Sequence, residues 1–201
     1  MLVTDRSATR GRDLVDVVEA AVAAGVGIVQ VRERDLSEAE MEALLGRLLD
    51  RLRGTGARLV VNGHPALARA LGIGLHLPAA APPATPRPAL VGRSVHDEDE
   101  ARRARDEGAS YVVAGPIFPT GSKPGHPGAG LALIPTLGRV LGHTPIFAIG
   151  GLTPDRVDAV LEAGASGIAV RSAILEAVDP ARIAREFADA LNSSRRTRPS
   201  G

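Results

Sequence analysis

The sequence predicts a single-domain (β/α)8 barrel, and three observations predict it. Four times a helical stretch ends in a glycine and passes at once into a short apolar run. Ala24-Gly25-Val26 leads into Ile28 to Val31, and Leu71-Gly72-Ile73 into Leu75-His76-Leu77. Glu107-Gly108-Ala109 leads into Tyr111 to Ala114, and Ala163-Gly164-Ala165 into Ile168-Ala169-Val170. A glycine just past a helix end supplies the left-handed cap, and the strand-length run behind it completes an αβ step. The runs show little polar–apolar alternation, as expected of parallel strands covered by helices. Counting Leu2-Val3-Thr4 as the first, eight strands fit along the chain, which favours a closed barrel over an open doubly wound sheet.

The elements follow in order. Strand one, Leu2-Val3-Thr4, precedes a helix over 13–24; strand two at 28–31 precedes a helix over 37–53. Strand three, Leu59-Val60-Val61, leads to a helix over 64–71, and strand four is 75–77. The next stretch, Pro78 to Pro88, holds five prolines and excludes a regular helix, so it is expected to cross as a loop. Strand five is Leu90-Val91 and its helix covers 97–107; strand six is 111–114, with a helix at 131–141. Strand seven, 146–149, feeds a helix at 154–163, and strand eight, 168–170, precedes the last helix at 180–191. The barrel domain is therefore expected over 1–191, with a polar, arginine-rich, disordered tail over 192–201.

Composition narrows the function classes. Hydrophobic residues make up 44% and charged residues 23% of 201, ordinary for a soluble globular domain. The absence of cysteine removes disulfides, thiolate metal sites and cysteine nucleophiles. A net charge of +1, with one tyrosine, three phenylalanines and no tryptophan, gives no case for nucleic acid. No apolar run approaches a membrane span, and no signal peptide is seen, so a cytoplasmic protein handling a small molecule is expected. A homo-oligomer is compatible with everything here.

The barrel places its active site at the carboxyl ends of the strands. Those ends carry Asp5, Arg32-Glu33-Arg34, Asn62-Gly63, His76, Ser94-Val95-His96, the loop Gly115 to Gly125, Gly150-Gly151 and Arg171-Ser172. The loop holds Lys123, the one lysine beside 23 arginines, with Thr120 and Ser122. A lysine ammonium is a compact point charge suited to a phosphate oxygen. After strand seven, Gly150-Gly151 lead to Thr153 as N-cap and Pro154 at the first helical position. Strand eight ends at Val170-Arg171-Ser172 and enters a short helix. The two strand ends together predict a phosphate site made of main-chain amides and a helix N-terminus.

His76, at a strand end, is the first candidate for proton transfer and His126 the second; a hydrogen-bonded structural role for His76 carries equal weight. His96 is expected to serve the start of the following helix. His64 and His143 read as surface turn residues. Asp97-Glu98-Asp99-Glu100 reads as a helix first turn complementing the macrodipole rather than a metal site.

Taken in order, these residues resemble the superfamily of thiamine-phosphate synthases and TenI-type thiazole tautomerases over nearly the whole chain. The likeness is carried by Val31-Arg32-Glu33-Arg34, Val61-Asn62, Leu75-His76-Leu77, Gly92-Arg93-Ser94-Val95-His96, the loop Gly115 to Gly125, Ala148 to Pro154 and Gly167 to Ile174. The synthase joins a pyrimidine pyrophosphate to a thiazole phosphate and releases pyrophosphate. The resemblance implies Arg32, Arg34, Asn62, Ser94, Thr120, Ser122 and Lys123 around the pyrophosphate, with Arg93 beside them. It implies Gly150, Gly151, Val170, Arg171 and Ser172 around the thiazole phosphate. The synthases hold magnesium through two aspartates, where this chain has Gly63 and Pro78-Ala79-Ala80-Ala81. Those positions, with Gly92 to His96, look like the tautomerase branch, although the histidine expected of a tautomerase is replaced by Pro116. The expected reading is therefore a metal-independent tautomerase aromatising a thiazole carboxylate phosphate, with no cofactor. The alternatives are a synthase, which would call for Mg2+, and a non-catalytic sensor of phosphate ligands.

Overall fold

In a computed structural model that describes residues 1–121, 125 and 127–197, the chain closes into a barrel of eight parallel strands. They are β1 (Leu2–Val3), β2 (Ile28–Val31), β3 (Arg58–Asn62), β4 (Gly74–Leu77), β5 (Val91–Val95), β6 (Tyr111–Ala114), β7 (Ile146–Ile149) and β8 (Gly167–Ala169). Each pairs with the next in sequence. Val3 N donates to Val170 O and Val170 N to Met1 O, both at 2.9 Å, and these bonds seal the seam between first and last strands.

The helices are α1 (Leu14–Ala23), α2 (Glu38–Arg51), α3 (Pro65–Ala70), α4 (Glu98–Asp106), α5 (Leu133–Leu141), α6 (Val157–Glu162), α7 (Ser172–Leu175) and α8 (Pro180–Thr197). Their starts follow local chemistry. Asp13 and Asp97 side chains accept from the second and third helical N–H groups, of Val15 and Glu100, and Ser37 with Glu40 forms a reciprocal capping box. The main core lies between the helices and the outer strand faces: Val15, Val18 and Ala21 of α1, Met41, Leu45 and Leu48 of α2, and Val29, Val31 and Val61 of the sheet are all buried. Four of the glycines in the sequence repeat, Gly25, Gly72, Gly108 and Gly164, have positive φ at the helix-to-strand junctions expected for them.

Two aromatic rings fill the barrel interior. Tyr111 and Phe147 meet edge to face, with centroids 5.5 Å apart and planes at 76°. Each lies against a glycine of a neighbouring strand. A Cβ at Gly167 would stand 2.9 Å from the Phe147 ring, and one at Gly92 would collide with the hydroxyl-bearing edge of the Tyr111 ring. With so few aromatics, the chain spends two at the centre and opens space for them by removing side chains opposite.

Three expectations change. β5 runs to Val95, beyond the Leu90-Val91 read from sequence, because Gly92, Arg93 and Ser94 disguise it: the first yields space to Tyr111, the second turns outward and the third inward. The last helix continues to Thr197, so residues 192–197 are helical rather than disordered; Ser194 is buried and its hydroxyl donates to Asp158 of α6. Residues 198–201 lie outside the described ones. The sixth helix opens with a 3-10 turn at Pro154–Arg156.

The proline-rich crossing from β4 to β5 carries no helix, as expected, and Arg93 holds it. The side chain of Arg93 is 1% exposed; its guanidinium donates to the carbonyls of Pro78, Ala79 and Ala81 at 2.8–3.1 Å and to Glu107 at 2.5 Å. No described helix is long and apolar enough to cross a membrane.

Candidate active site

One cavity of about 880 Å³ opens at the carboxyl ends of the strands. Of the residues expected from sequence, Arg32, Arg34, Asn62, His76, Ser94, Thr120, Gly150, Gly151, Val170, Arg171 and Ser172 all line it. Arg93 does not. Alternation along β5 sends Ser94 inward and Arg93 outward beneath the crossing, so its expected contact with substrate is corrected to a structural bond. Ser122, Lys123 and His126 lie outside the described residues.

Each wall has a local cause. Glu33, between the two arginines, is buried; it accepts from Thr4 Oγ1 at 2.5 Å and Arg6 N at 2.8 Å, while Arg32 N donates to Thr4 Oγ1 at 3.0 Å. That knot ties the β1 and β2 ends together and leaves Arg32 and Arg34 facing the cavity. On the opposite side the start of the Lys123 loop runs on beside β7: Ile117 N donates to Ile149 O and Phe118 N to Gly150 O. A Cβ at Gly150 would stand 2.5 Å from Pro116 Cβ, and one at Gly151 would strike the Pro119 carbonyl. The glycine pair is thus required by the close approach of this loop, as well as turning the chain at φ values of +101° and +62°. Thr153 and Pro154 sit at the cap and first position of the following turn, but the Thr153 hydroxyl makes no cap bond.

Arg171 donates to Asp5 Oδ2 at 3.0 Å, which anchors the β8 end to the β1 end. Ser172 and Ala173 open α7 and line the cavity, and the first N–H groups of a helix have no partner within it.

The barrel centre feeds into the cavity through one polar chain. His76 is 1% exposed; its Nδ1 shares a hydrogen bond with Tyr111 Oη at 3.2 Å and its Nε2 with Ser94 Oγ at 2.9 Å. Burial, then the charges of Arg32 and Arg93, lowers its pKa to about 3. With both nitrogens engaged and the ring neutral across the physiological range, His76 is suited to orienting Ser94 and not to carrying protons. Burial raises the Tyr111 pKa, so its phenol stays protonated beside the ring.

The same burial has a consequence for stability. A histidine whose folded pKa lies below its unfolded value of ~6.5 favours the unfolded state as acid is added, with full stability above that value and progressive loss down to pH ~3. Lowering the pH from 7 to 5 is expected to cost about 2 kcal/mol through this residue, at about 1.4 kcal/mol per unit below 6.5. Urea denaturation of the wild type and His76→Gln at both values checks it: the variant's stability should change less with pH, and equal slopes would refute the assignment.

Sequence reasoning missed three residues. Gln30 lies inside β2 and accepts from Asn62 Nδ2 at 3.2 Å, an inward polar residue in a run read as apolar. Tyr111 was taken only as a strand residue. Arg156 lines the cavity, donates to Gly151 O at 2.6 Å and stands 4.7 Å over the Phe118 ring. Its position in the first turn after β7 was the available signal. His96 lines the rim and pairs through Nδ1 with Glu100 at 2.8 Å, at the helix start as expected.

The residues present do not fit the magnesium site of the synthases. No carboxylate lines the cavity, and the described residues contain no group of three histidine, cysteine, aspartate or glutamate side chains able to hold a metal. Ser122, Lys123, Pro124 and His126 add no carboxylate. Magnesium prefers hard oxygen ligands with one or two carboxylates among them.

A closed parallel barrel with arginines, hydroxyls and glycine turns gathered at its carboxyl end defines a (β/α)8 enzyme for small anionic substrates. The chain belongs to the thiamine monophosphate synthase family, whose model matches residues 1–174. It is 40% identical over 198 residues to the thiamine-phosphate synthase of Thermus thermophilus, covering 95% of each chain. It is 40% identical over 200 residues to that of Natronomonas pharaonis, covering 94% of this chain and 93% of the relative. Among solved structures, the thiamine phosphate pyrophosphorylase of Pyrococcus furiosus superposes with a TM-score of 0.84 at 28% identity, covering 96% of this chain and 95% of the other. The protein is thus an enzyme of thiamine biosynthesis. The relatives bear the name of the transferase, which favours the alternative set out above over the isomerase expected first.

Proposed function

We propose that the chain is a thiamine-phosphate synthase, coupling hydroxymethylpyrimidine pyrophosphate to thiazole phosphate. The observation that carries the reading is one cavity with two anion-receiving walls, as two phosphorylated substrates require. The near full-length likeness to proteins named for this activity supports it. The thiazole nitrogen attacks the pyrimidine methylene; a C–N bond forms, the C–O bond breaks, and its electron pair leaves with pyrophosphate. Arg32, Arg34, Asn62, Ser94 and Thr120, with Ser122 and Lys123, would receive the charge that builds on the leaving group. Gly150, Gly151, Val170, Arg171 and Ser172 would hold the thiazole phosphate. His76 would set the Ser94 hydroxyl. The tautomerase reading weakens because His76, its first proton carrier, is neutral with both ring nitrogens already bonded.

Incubating the purified protein with both substrates should yield thiamine phosphate and pyrophosphate. Tautomer conversion without coupling would return the isomerase reading, and binding without either turnover would leave the sensor. Ser172→Phe should raise the KM for thiazole phosphate at least tenfold with an unchanged melting temperature, because the ring would occupy the space in front of the α7 amides. An unchanged KM would remove that wall from the site.

A further inference from the structure

The cavity's charge is one-sided. Four guanidinium groups line it, from Arg32, Arg34, Arg156 and Arg171. Among the described residues only Arg171 has a carboxylate partner, Asp5 at 3.0 Å. Asp5 and Glu33 act on Arg32 through their charge, but neither lines the cavity. Glu33 accepts from Thr4 and Arg6, and Glu100 pairs with His96. Arg156 is held in place by the Gly151 carbonyl and the Phe118 ring, neither of which neutralises it.

We propose that this site takes pyrophosphate without a divalent ion, with Arg32 and Arg34 supplying the countercharge that a metal would bring. The proposal rests on the reading that a pyrophosphate-bearing substrate enters this cavity. Guanidinium forks match phosphate oxygens in pairs and need no deprotonation or dehydration of an ion to do so. A cation entering beside Arg32 and Arg34 meets repulsion with no carboxylate on the cavity wall to offset it, whereas a pyrophosphate relieves the mutual repulsion of the arginines. The ionisation of Arg32 agrees. Burial first, then the charges of Arg34 and Arg171, lowers its pKa against the opposing pull of Asp5 and Glu33.

Titration calorimetry with inorganic pyrophosphate tests this, run once in EDTA and once in excess magnesium chloride. Affinity in EDTA should equal or exceed that with magnesium. In EDTA, Arg32→Gln and Arg34→Gln should each weaken binding at least tenfold, with melting temperatures unchanged. Binding at least tenfold tighter with magnesium, binding that survives both substitutions, or no binding in either buffer would overturn the proposal. Failure of the functional reading is a separate result: pyrophosphate binds in EDTA, yet the two substrates give no thiamine phosphate.

Discussion

Gly92→Ala is expected to destabilise the barrel by about 3 kcal/mol, the upper end of ordinary overpacking. The added Cβ collides with the edge of the Tyr111 ring, at Cζ, Cε2 and the hydroxyl. The ring cannot swing away, because Phe147 meets its edge and His76 holds its oxygen. Strand β5 cannot move outward either, since it is paired on both sides, with β4 and β6. The damage also reaches the site: displacing Tyr111 frees one nitrogen of His76, and the other nitrogen sets Ser94. Urea denaturation followed by far-ultraviolet circular dichroism measures the loss. Combining Gly92→Ala with Tyr111→Leu should recover part of it, which a simple loss of glycine flexibility would not do. A loss below 1 kcal/mol for the single variant would show that the interior can yield.

Arg93→Met should cost about 3 kcal/mol, the scale for removing one partner of a buried ion pair. Glu107, with a side chain 22% exposed, loses its partner, and the carbonyls of Pro78, Ala79 and Ala81 lose their shared donor. Methionine fills much of the volume, so the effect isolates hydrogen bonding and charge from packing. Arg93→Lys should recover only a minor part, because one ammonium cannot reach three carbonyls and a carboxylate with the reach of a planar fork. The crossing should then become the first site of protease cleavage in the variant. Equal stability of wild type and Arg93→Met in guanidinium titrations would show that the crossing is held by other contacts.

These two neighbours also mark where the sequence was legible and where it was not. The glycine-to-strand repeat made the αβ alternation plain, since a positive φ after a helix is a local demand that glycine alone meets without strain. The proline-rich crossing was legible for the same kind of reason. β5 was not, because its three middle residues answer to partners far along the chain: Gly92 to Tyr111, Arg93 to the 78–81 carbonyls, Ser94 to His76. Strand-end polarity located the cavity, yet it could not tell which of two adjacent polar residues faces inward, and so Arg93 was placed beside Ser94. Gln30 and Arg156 escaped because one sits within a strand and the other a turn beyond its end. The structural role of His76 was not legible either, because its burial is a property of the closed barrel and of nothing adjacent in the chain.

The aromatic pair at the centre brings a practical gift. Tyr111 is the only tyrosine in a chain without tryptophan, and it is buried between His76 and Phe147. Ultraviolet emission from the folded protein therefore originates at a single phenol in the middle of the cylinder, one hydrogen bond from the group that orients Ser94. Events at the mouth can be followed by the light of that phenol, without a dye or an engineered label.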